Sequence, residues 1–294
     1  MSKNPTWLLD FKHNVYSQGG EDGVLSAILD RLPDTDRWCV EFGAWDGIHL
    51  SNVRNLIQER DYSAVMIEGS HTRSEELRSN YADNPRVFPV NAFVGFTAAD
   101  GLDRILADTP ITRDFDLLSI DIDGNDYHVW KAVGEYRPKV VCIEFNQTIP
   151  TGVEFVQPAD PAVNQGSSVS AMVALGREKG YQLVCVLDLN AIFVRDDYFP
   201  LFEIQDNSPW VLRTNASEVT YLFSGYDGTV FLRGGMGLPW HGMRLRESKF
   251  QLLPRFLRRF PSNYSVWQRL LFRVYKFLEN PMAKFRKLAA KRRA

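Results

Sequence analysis

The chain has 294 residues, 45% hydrophobic and 24% charged, which suits one sizeable core or one domain with an appendage and excludes a disordered or fibrous protein. No 18-residue apolar run occurs, and Met1 to Asn14 lacks the basic-then-apolar order of a leader, so a cytoplasmic body without membrane spans is expected. The net charge of −2 is unevenly placed: residues 244 to 294 hold fifteen of the 34 Lys/Arg and two of the 36 Asp/Glu, leaving that stretch at +13 and the rest at −15.

Taken in chain order, the first predicted element is a helix with Val24, Leu25, Ile28 and Leu29 on one face, capped by Ser17 or a neighbour. The polar cluster Ser17, Gln18, Glu21 and Asp22 just before that face is a candidate flap over a ligand, with Gln18 a candidate contact. Next, Trp38 to Gly47 reads W-C-V-E-F-G-A-W-D-G: a buried strand with one acid, Glu41, running into a loop bracketed by Gly43 and Gly47. Such a turn at the carboxyl end of a strand leaves a ligand crevice in an open α/β sheet. A dinucleotide fingerprint would place a second glycine two residues after Gly43, where this chain has Trp45, so a pyrophosphate is disfavoured. An adenosine ligand without phosphates and with a cationic amine for Glu41 fits better, and S-adenosylmethionine has both features. The plainer alternative is a buried strand that simply ends in a glycine turn.

Residues 51 to 60 then fit a helix, and Ala64 to Glu68 a second buried strand ending in an acid. Glu68 follows Gly43 by 25 residues, near the spacing of ribose-binding acids in doubly wound folds. Residues 73 to 80 and 98 to 107 are predicted helices on either side of a third strand, 86 to 90. Phe115 to Ile120 is a fourth strand, after which Asp121, Asp123 and Asp126 crowd around Gly124. Acids this close repel one another unless a cation, a shared proton or solvent intervenes. Lys139 to Phe145 is a fifth strand, ending in Glu144 with Asn146 beyond it. Together Asp121, Asp123, Glu144 and Asn146 form an oxygen set of the kind Mg²⁺ prefers, although Glu144 and Asn146 would equally serve as loop caps.

Residues 148 to 168, rich in Pro and Gly, form a candidate substrate loop. A helix over 169 to 179 ends at Gly180, and a hairpin of 182 to 187 with 191 to 195 makes the last strand antiparallel. Cys39, Cys142 and Cys185 each fall inside a predicted strand, as buried free thiols do. Residues 198 to 241 read as loop-rich. The expected organisation is a catalytic domain over 1 to 200, an extension over 201 to 250 and a basic helical tail over 251 to 294. Leu253, Phe256, Leu257 and Phe260 show helical spacing, and after Pro261 so do Trp267, Leu270, Leu271, Val274 and Leu278. A basic amphipathic tail of this kind is expected to meet an anionic membrane surface, or else to pack on the acidic body or a second subunit in a homo-oligomer. Nucleic acid is not expected, because the acidic body opposes a phosphate backbone.

The phrases Y-S-Q-G-G-E-D-G, C-V-E-F-G-A-W-D-G, M-I-E-G, S-I-D-I-D-G-N-D-Y-H-V-W and V-V-C-I-E-F-N, followed by K-G-Y-Q-L-V and N-A-I-F-V-R, span residues 16 to 195. In wording and order they resemble the FkbM-like family of class I S-adenosylmethionine-dependent methyltransferases. The resemblance implies a Rossmann-like, doubly wound, mostly parallel seven-stranded sheet and O-methylation of a sugar hydroxyl in a polysaccharide, glycolipid or glycosylated metabolite. It also implies that Glu41, Gly43 and Asp46 line the methionine moiety, Glu68 the ribose and Asp121 the mouth of the site. Metal-dependent sugar and catechol methyltransferases carry acids where Asp121, Asp123 and Glu144 stand. The catechol enzymes also have a lysine after the fourth strand, where this chain has Gly124 and Asn125. Asp123, His128 or His71 is then the candidate base, or a metal lowers the hydroxyl's pKa. A nicotinamide-dependent sugar dehydrogenase or epimerase, or a non-catalytic docking module, is the competing reading.

Overall fold

The computed structural model of the chain describes residues 4–279. One compact unit comprises residues up to Ala216 and a second begins at Ser217. In the first, a 3-10 turn (Trp7–Phe11) precedes α1 (Glu21–Leu29), β1 (Trp38–Phe42), α2 (Arg54–Glu59), β2 (Ser63–Glu68), α3 (His71–Asn80) and β3 (Val87–Asn91). Then come α4 (Leu102–Leu106), β4 (Leu117–Ile120), α5 (Asp126–Ala132), β5 (Val140–Glu144), α6 (Val169–Glu178), β6 (Tyr181–Val186), β7 (Asn190–Arg195) and the short α7 (Pro209–Leu212).

The strands form one seven-stranded sheet in the order β3-β2-β1-β4-β5-β7-β6. Every pairing is parallel except the two made by β7, which is antiparallel to both β5 and β6. This is the sheet of the class I, Rossmann-like methyltransferase fold, as the sequence phrases imply.

The strands are apolar runs because both faces of the sheet are covered. Alternate side chains point to opposite faces. Cys39, Ala64, Met66, Leu117 and Cys142 meet α1, α2 and α3 through Leu25, Ile28, Leu56, Ile57 and Leu77. Val40, Phe42, Val65, Leu118 and Val141 meet α4, α5 and α6 through Leu102, Leu106, Trp130, Met172 and Leu175. Burying a large side chain in either layer is worth about 1.5–3 kcal/mol. All three cysteines are buried free thiols. The chain winds outward from β1 in one direction and from β4 in the other, so a crevice opens above the carboxyl ends of these two strands.

Several expectations are corrected. Gly20, with φ 98°, rather than Ser17 holds the N-cap position of α1, although the Ser17 hydroxyl accepts from the Asp22 amide in the first turn (3.1 Å). The helix expected from residue 51 starts at Arg54, because Ser51 and Asn52 are held by Glu41. The helix expected over 98 to 107 is shorter, since Thr97 and Asp100 close a turn first. Residues 201 to 216 pack with the first unit, where Phe202, Ile204 and Leu212 are buried.

The second unit contains a two-stranded hairpin, β8 (Thr220–Ser224) with β9 (Val230–Gly234), where the sequence reads as loop. Beyond it, Leu253 to Phe260 is not α-helical: Pro254 and Pro261 bracket a single 3-10 turn, Arg255–Leu257. The helical spacing from Trp267 onward does form a helix, α8 (Val266–Glu279). The rest of the expected basic tail, 280 to 294, lies outside the described residues. Among the described residues, no helix is long and apolar enough to cross a membrane.

Candidate active site

The crevice is built from the ends of β1, β2, β4 and β5. Gly43 leaves β1 with φ 76°, and a Cβ there would stand 1.7 Å from the Asp121 carbonyl oxygen. The glycine is therefore required by the close approach of β1 to β4; a side chain at 43 meets the backbone of β4 before it reaches open crevice. Two residues on, Trp45 sits exposed in the left-handed region (φ 53°), with the Arg73 guanidinium 4.3 Å above its ring. Its amide donates to Glu68 Oε2 (2.9 Å), while Glu68 Oε1 accepts from the Ser70 amide (2.7 Å). Glu68 thus ties the glycine loop to the end of β2. Asp46 Oδ1 accepts from the amides of Ile48 and His49 at 2.9 and 2.8 Å. Burial opposes its ionisation, but these amides hold its carboxyl below the ordinary value.

Glu41 is buried, with Oε2 accepting from Ser51 Oγ (2.6 Å) and Oε1 from the Asn52 amide (2.7 Å). Asn52 Nδ2 in turn donates to Ser119 Oγ on β4 (3.1 Å). Burial, helped by the charge of Asp22 and resisted by those hydrogen bonds, raises the Glu41 carboxyl to about 7.

At the ends of β4 and β5, Asp121, Asp123 and Glu144 bring carboxylate oxygens within 4.8 Å of one another. Asp123 is exposed, with φ 55°. Burial raises the carboxyls of Asp121 and Glu144, and the charges of Asp126 and Asp123 push both higher; Asp121 raises Glu144 as well, whereas a hydrogen bond from Glu144 partly lowers Asp121, so the pair shares a proton near neutrality. Asp126, at the first turn of α5, accepts from the Ile122 and Gly124 amides at 3.0 and 2.9 Å and shapes the turn that carries Asp123.

Asn146, just beyond β5, is held in a turn. Its Oδ1 accepts from both the amide and Oγ1 of Thr148, at 2.9 and 2.7 Å, which uses both lone pairs in a turn. His128 Nε2 lies 2.8 Å from the Gln157 carbonyl oxygen, and that partner fixes Nε2 as a donor rather than a base. His71 is exposed at the first position of α3. Gln18 is exposed too, and its carbonyl rather than its side chain is engaged, accepting from Asn14 Nδ2 (3.0 Å).

The start of α1 holds more chemistry than Gln18 shows. Asp22 Oδ2 gathers the amides of Val15, Tyr16 and Ser17 at 2.8, 2.7 and 2.8 Å, and the Ser17 hydroxyl at 2.9 Å. Its Oδ1 is buried without a hydrogen-bond partner. Fully buried Glu21 accepts from Asn190 Nδ2 (3.1 Å), and Asn190 Oδ1 is likewise buried and unsatisfied. Asn190 pairs with Glu144 across β5 and β7, which places it beside the acid cluster. Neither unsatisfied acceptor carries a mark in the sequence beyond its polarity.

The loop after β5 covers the loop after β4. Gln157, buried, donates to the Val163 carbonyl (2.8 Å) and accepts from the amides of Gln165 and Gly166 (2.9 and 2.8 Å), while Asn125 Nδ2 donates to the Asp160 carbonyl (3.1 Å). The candidate substrate loop is therefore pinned against residues 124 to 128.

No protein-family model matches the chain, and no curated protein matches it in sequence. Solved structures similar to it include an O-methyltransferase from Bacillus cereus in complex with S-adenosylhomocysteine, 16% identical, covering 65% of this chain and 90% of that one with a TM-score of 0.43. The N-terminal domain of EvdMO1, crystallised with S-adenosylhomocysteine and D-fucose, is 10% identical, with coverages of 65% and 94% and a TM-score of 0.40. A precorrin-6y C5,15-methyltransferase from Geobacter metallireducens is 18% identical, with coverages of 58% and 85% and a TM-score of 0.36.

Proposed function

We propose that the chain is an S-adenosylmethionine-dependent O-methyltransferase whose acceptor is a sugar hydroxyl. The observation that carries this reading is a charge imbalance at the switch point. Glu21, Asp22, Glu41, Glu68, Asp121, Asp123, Asp126 and Glu144 converge on the crevice, and among the described residues none of them is in an ion pair. A ligand with two positive charges supplies what this wall lacks. When bound, S-adenosylmethionine supplies a transferable methyl on a sulfonium, and it carries an ammonium as well.

The chain's own residues have distinct parts. Glu41 and the unsatisfied Oδ1 of Asp22 face the donor's cationic end, Glu68 offers its remaining lone pairs to ribose hydroxyls, and Gly43 lets β1 and β4 approach closely. Asp121 and Asp123 stand where an acceptor hydroxyl must lose its proton, and an ionised carboxylate there serves as the base. Asp121, Asp123 and Glu144 would also hold a hard divalent cation, which lowers the pKa of a hydroxyl bound to it. The pinned loop of 148 to 168 screens the reaction from water and aligns the acceptor. A sugar as that acceptor follows from the FkbM-like phrases.

A pyrophosphate cofactor fits poorly on physical grounds. The Trp45 amide that would face a phosphate is already taken by Glu68, and the surrounding carboxylates repel polyanions. Titration calorimetry decides the donor: S-adenosylmethionine and S-adenosylhomocysteine bind and NAD does not. Binding of NAD alone would reverse the assignment. Transfer of a labelled methyl into a glycolipid extract then tests the acceptor class.

A further inference from the structure

Helix α8 is fastened to its own unit along one side and bare along the other. On the fastened side, Gln268 Nε2 donates to the Phe256 carbonyl (2.8 Å), Phe272 packs edge-on against Tyr264 with ring centroids 5.5 Å apart, and the Tyr275 hydroxyl donates to the Leu252 carbonyl. On the bare side, Trp267, Leu270, Leu271, Val274, Phe277 and Leu278 recur at the spacing of one helical face. Trp267 is 74% exposed and Leu278 69% exposed, levels at which such side chains are clear of any core. Arg269, Arg273 and Lys276 follow one edge of this apolar arc.

We infer that the unit beginning at Ser217 is a lipid-docking module that lays the bare face of α8 in the surface of an anionic bilayer. An aromatic and leucine face beside a row of cations is the design of a helix lying in the membrane interface. With 14 residues and cations through its length, α8 lies on a bilayer and does not cross it. Charge selects this occupant over a second copy of the chain. Pairing two α8 faces would bring two stretches of +13 together, whereas an anionic surface attracts that stretch and repels the −15 of the rest. The same unit holds a second exposed apolar element: Tyr221, Leu222 and Phe223 on β8 are all exposed, so both faces of that strand are open.

Co-sedimentation of the full chain with phosphatidylglycerol or phosphatidylcholine vesicles tests the inference. The chain pellets with the anionic vesicles and not with the neutral ones. Leu270→Asp with Val274→Asp, on exposed positions that leave the fold intact, abolishes pelleting. Each cation near the surface is worth about fivefold in partition, so Arg273→Glu with Lys276→Glu lowers it by at least about twentyfold. Calorimetric binding of S-adenosylhomocysteine is unchanged in both variants. Equal pelleting on the two lipids, pelleting indifferent to the variants, or a dimer in light scattering that Leu270→Asp dissolves would each overturn the inference.

Discussion

Glu41 has both oxygens in hydrogen bonds and still ionises only near neutrality, because two donors do not replace the water it has lost. Its folded value, about 7, lies above the ordinary 4.5, so its contribution to stability is complete below the lower value and is lost as pH rises through the upper one. Asp121, Asp126 and Glu144 are displaced in the same direction and add to the trend. The ligand-free chain is therefore expected to melt at lower temperature at about pH 8 than at about pH 5. Glu41→Gln, which reproduces the protonated form, flattens the profile and stabilises the chain at the higher pH by up to about 3 kcal/mol. A melting curve that is steepest in the opposite sense would show that Glu41 is already ionised in the fold. At the next residue but one, Gly43→Ala drives a methyl into the Asp121 carbonyl and forces a left-handed backbone on alanine. A loss of about 2 kcal/mol or more in denaturant unfolding, together with weakened donor binding, is the expected result.

Among the elements, the strands were the most legible in the sequence. Runs such as Ala64–Glu68 and Val140–Glu144 are apolar throughout because helices cover both sides, and the acids that end them mark the crevice edge. The contacts that organise the loops were not legible. Nothing about the letter Gln at 157 reveals that its amide gathers Val163, Gln165 and Gly166, since such partners are set by a backbone path that periodicity does not encode. The β8–β9 hairpin was missed for a related reason. Tyr221, Leu222 and Phe223 do not alternate because β8 is open on both faces, and in β9 only Val230 and Leu232 turn inward, too short a run to show a period of two. The spacing of Leu253 to Phe260 misled in the other direction, matching a helix that two prolines prevent. Gln157→Ala removes three hydrogen bonds at once, and hydrogen exchange is expected to quicken across 157 to 166 while the amides of β4 and β5 keep their protection. Unchanged exchange in the loop would mean that Asn125 and His128 suffice to pin it.

For the molecule as a whole, the charge division read from the sequence separates the two proposed roles. The acidic part concentrates carboxylates at one crevice, and the basic part presents α8. If Asp121, Asp123 and Glu144 hold a divalent cation, Mg²⁺ should raise the melting temperature at pH values where the acids would otherwise ionise unpaired, and Asp123→Asn should remove that rise. Identical melts in Mg²⁺ and in chelator would leave these acids to proton transfer and donor electrostatics. The shared proton of Asp121 and Glu144 has one more consequence. A cation arriving beside carboxyls that are partly protonated makes them stronger acids, so binding must expel protons into the medium. The heat measured on binding then contains the heat of protonating the buffer. Titrations run at the same pH in phosphate and in Tris would report different enthalpies for one affinity, and the slope between them would count the protons the crevice releases as it fills.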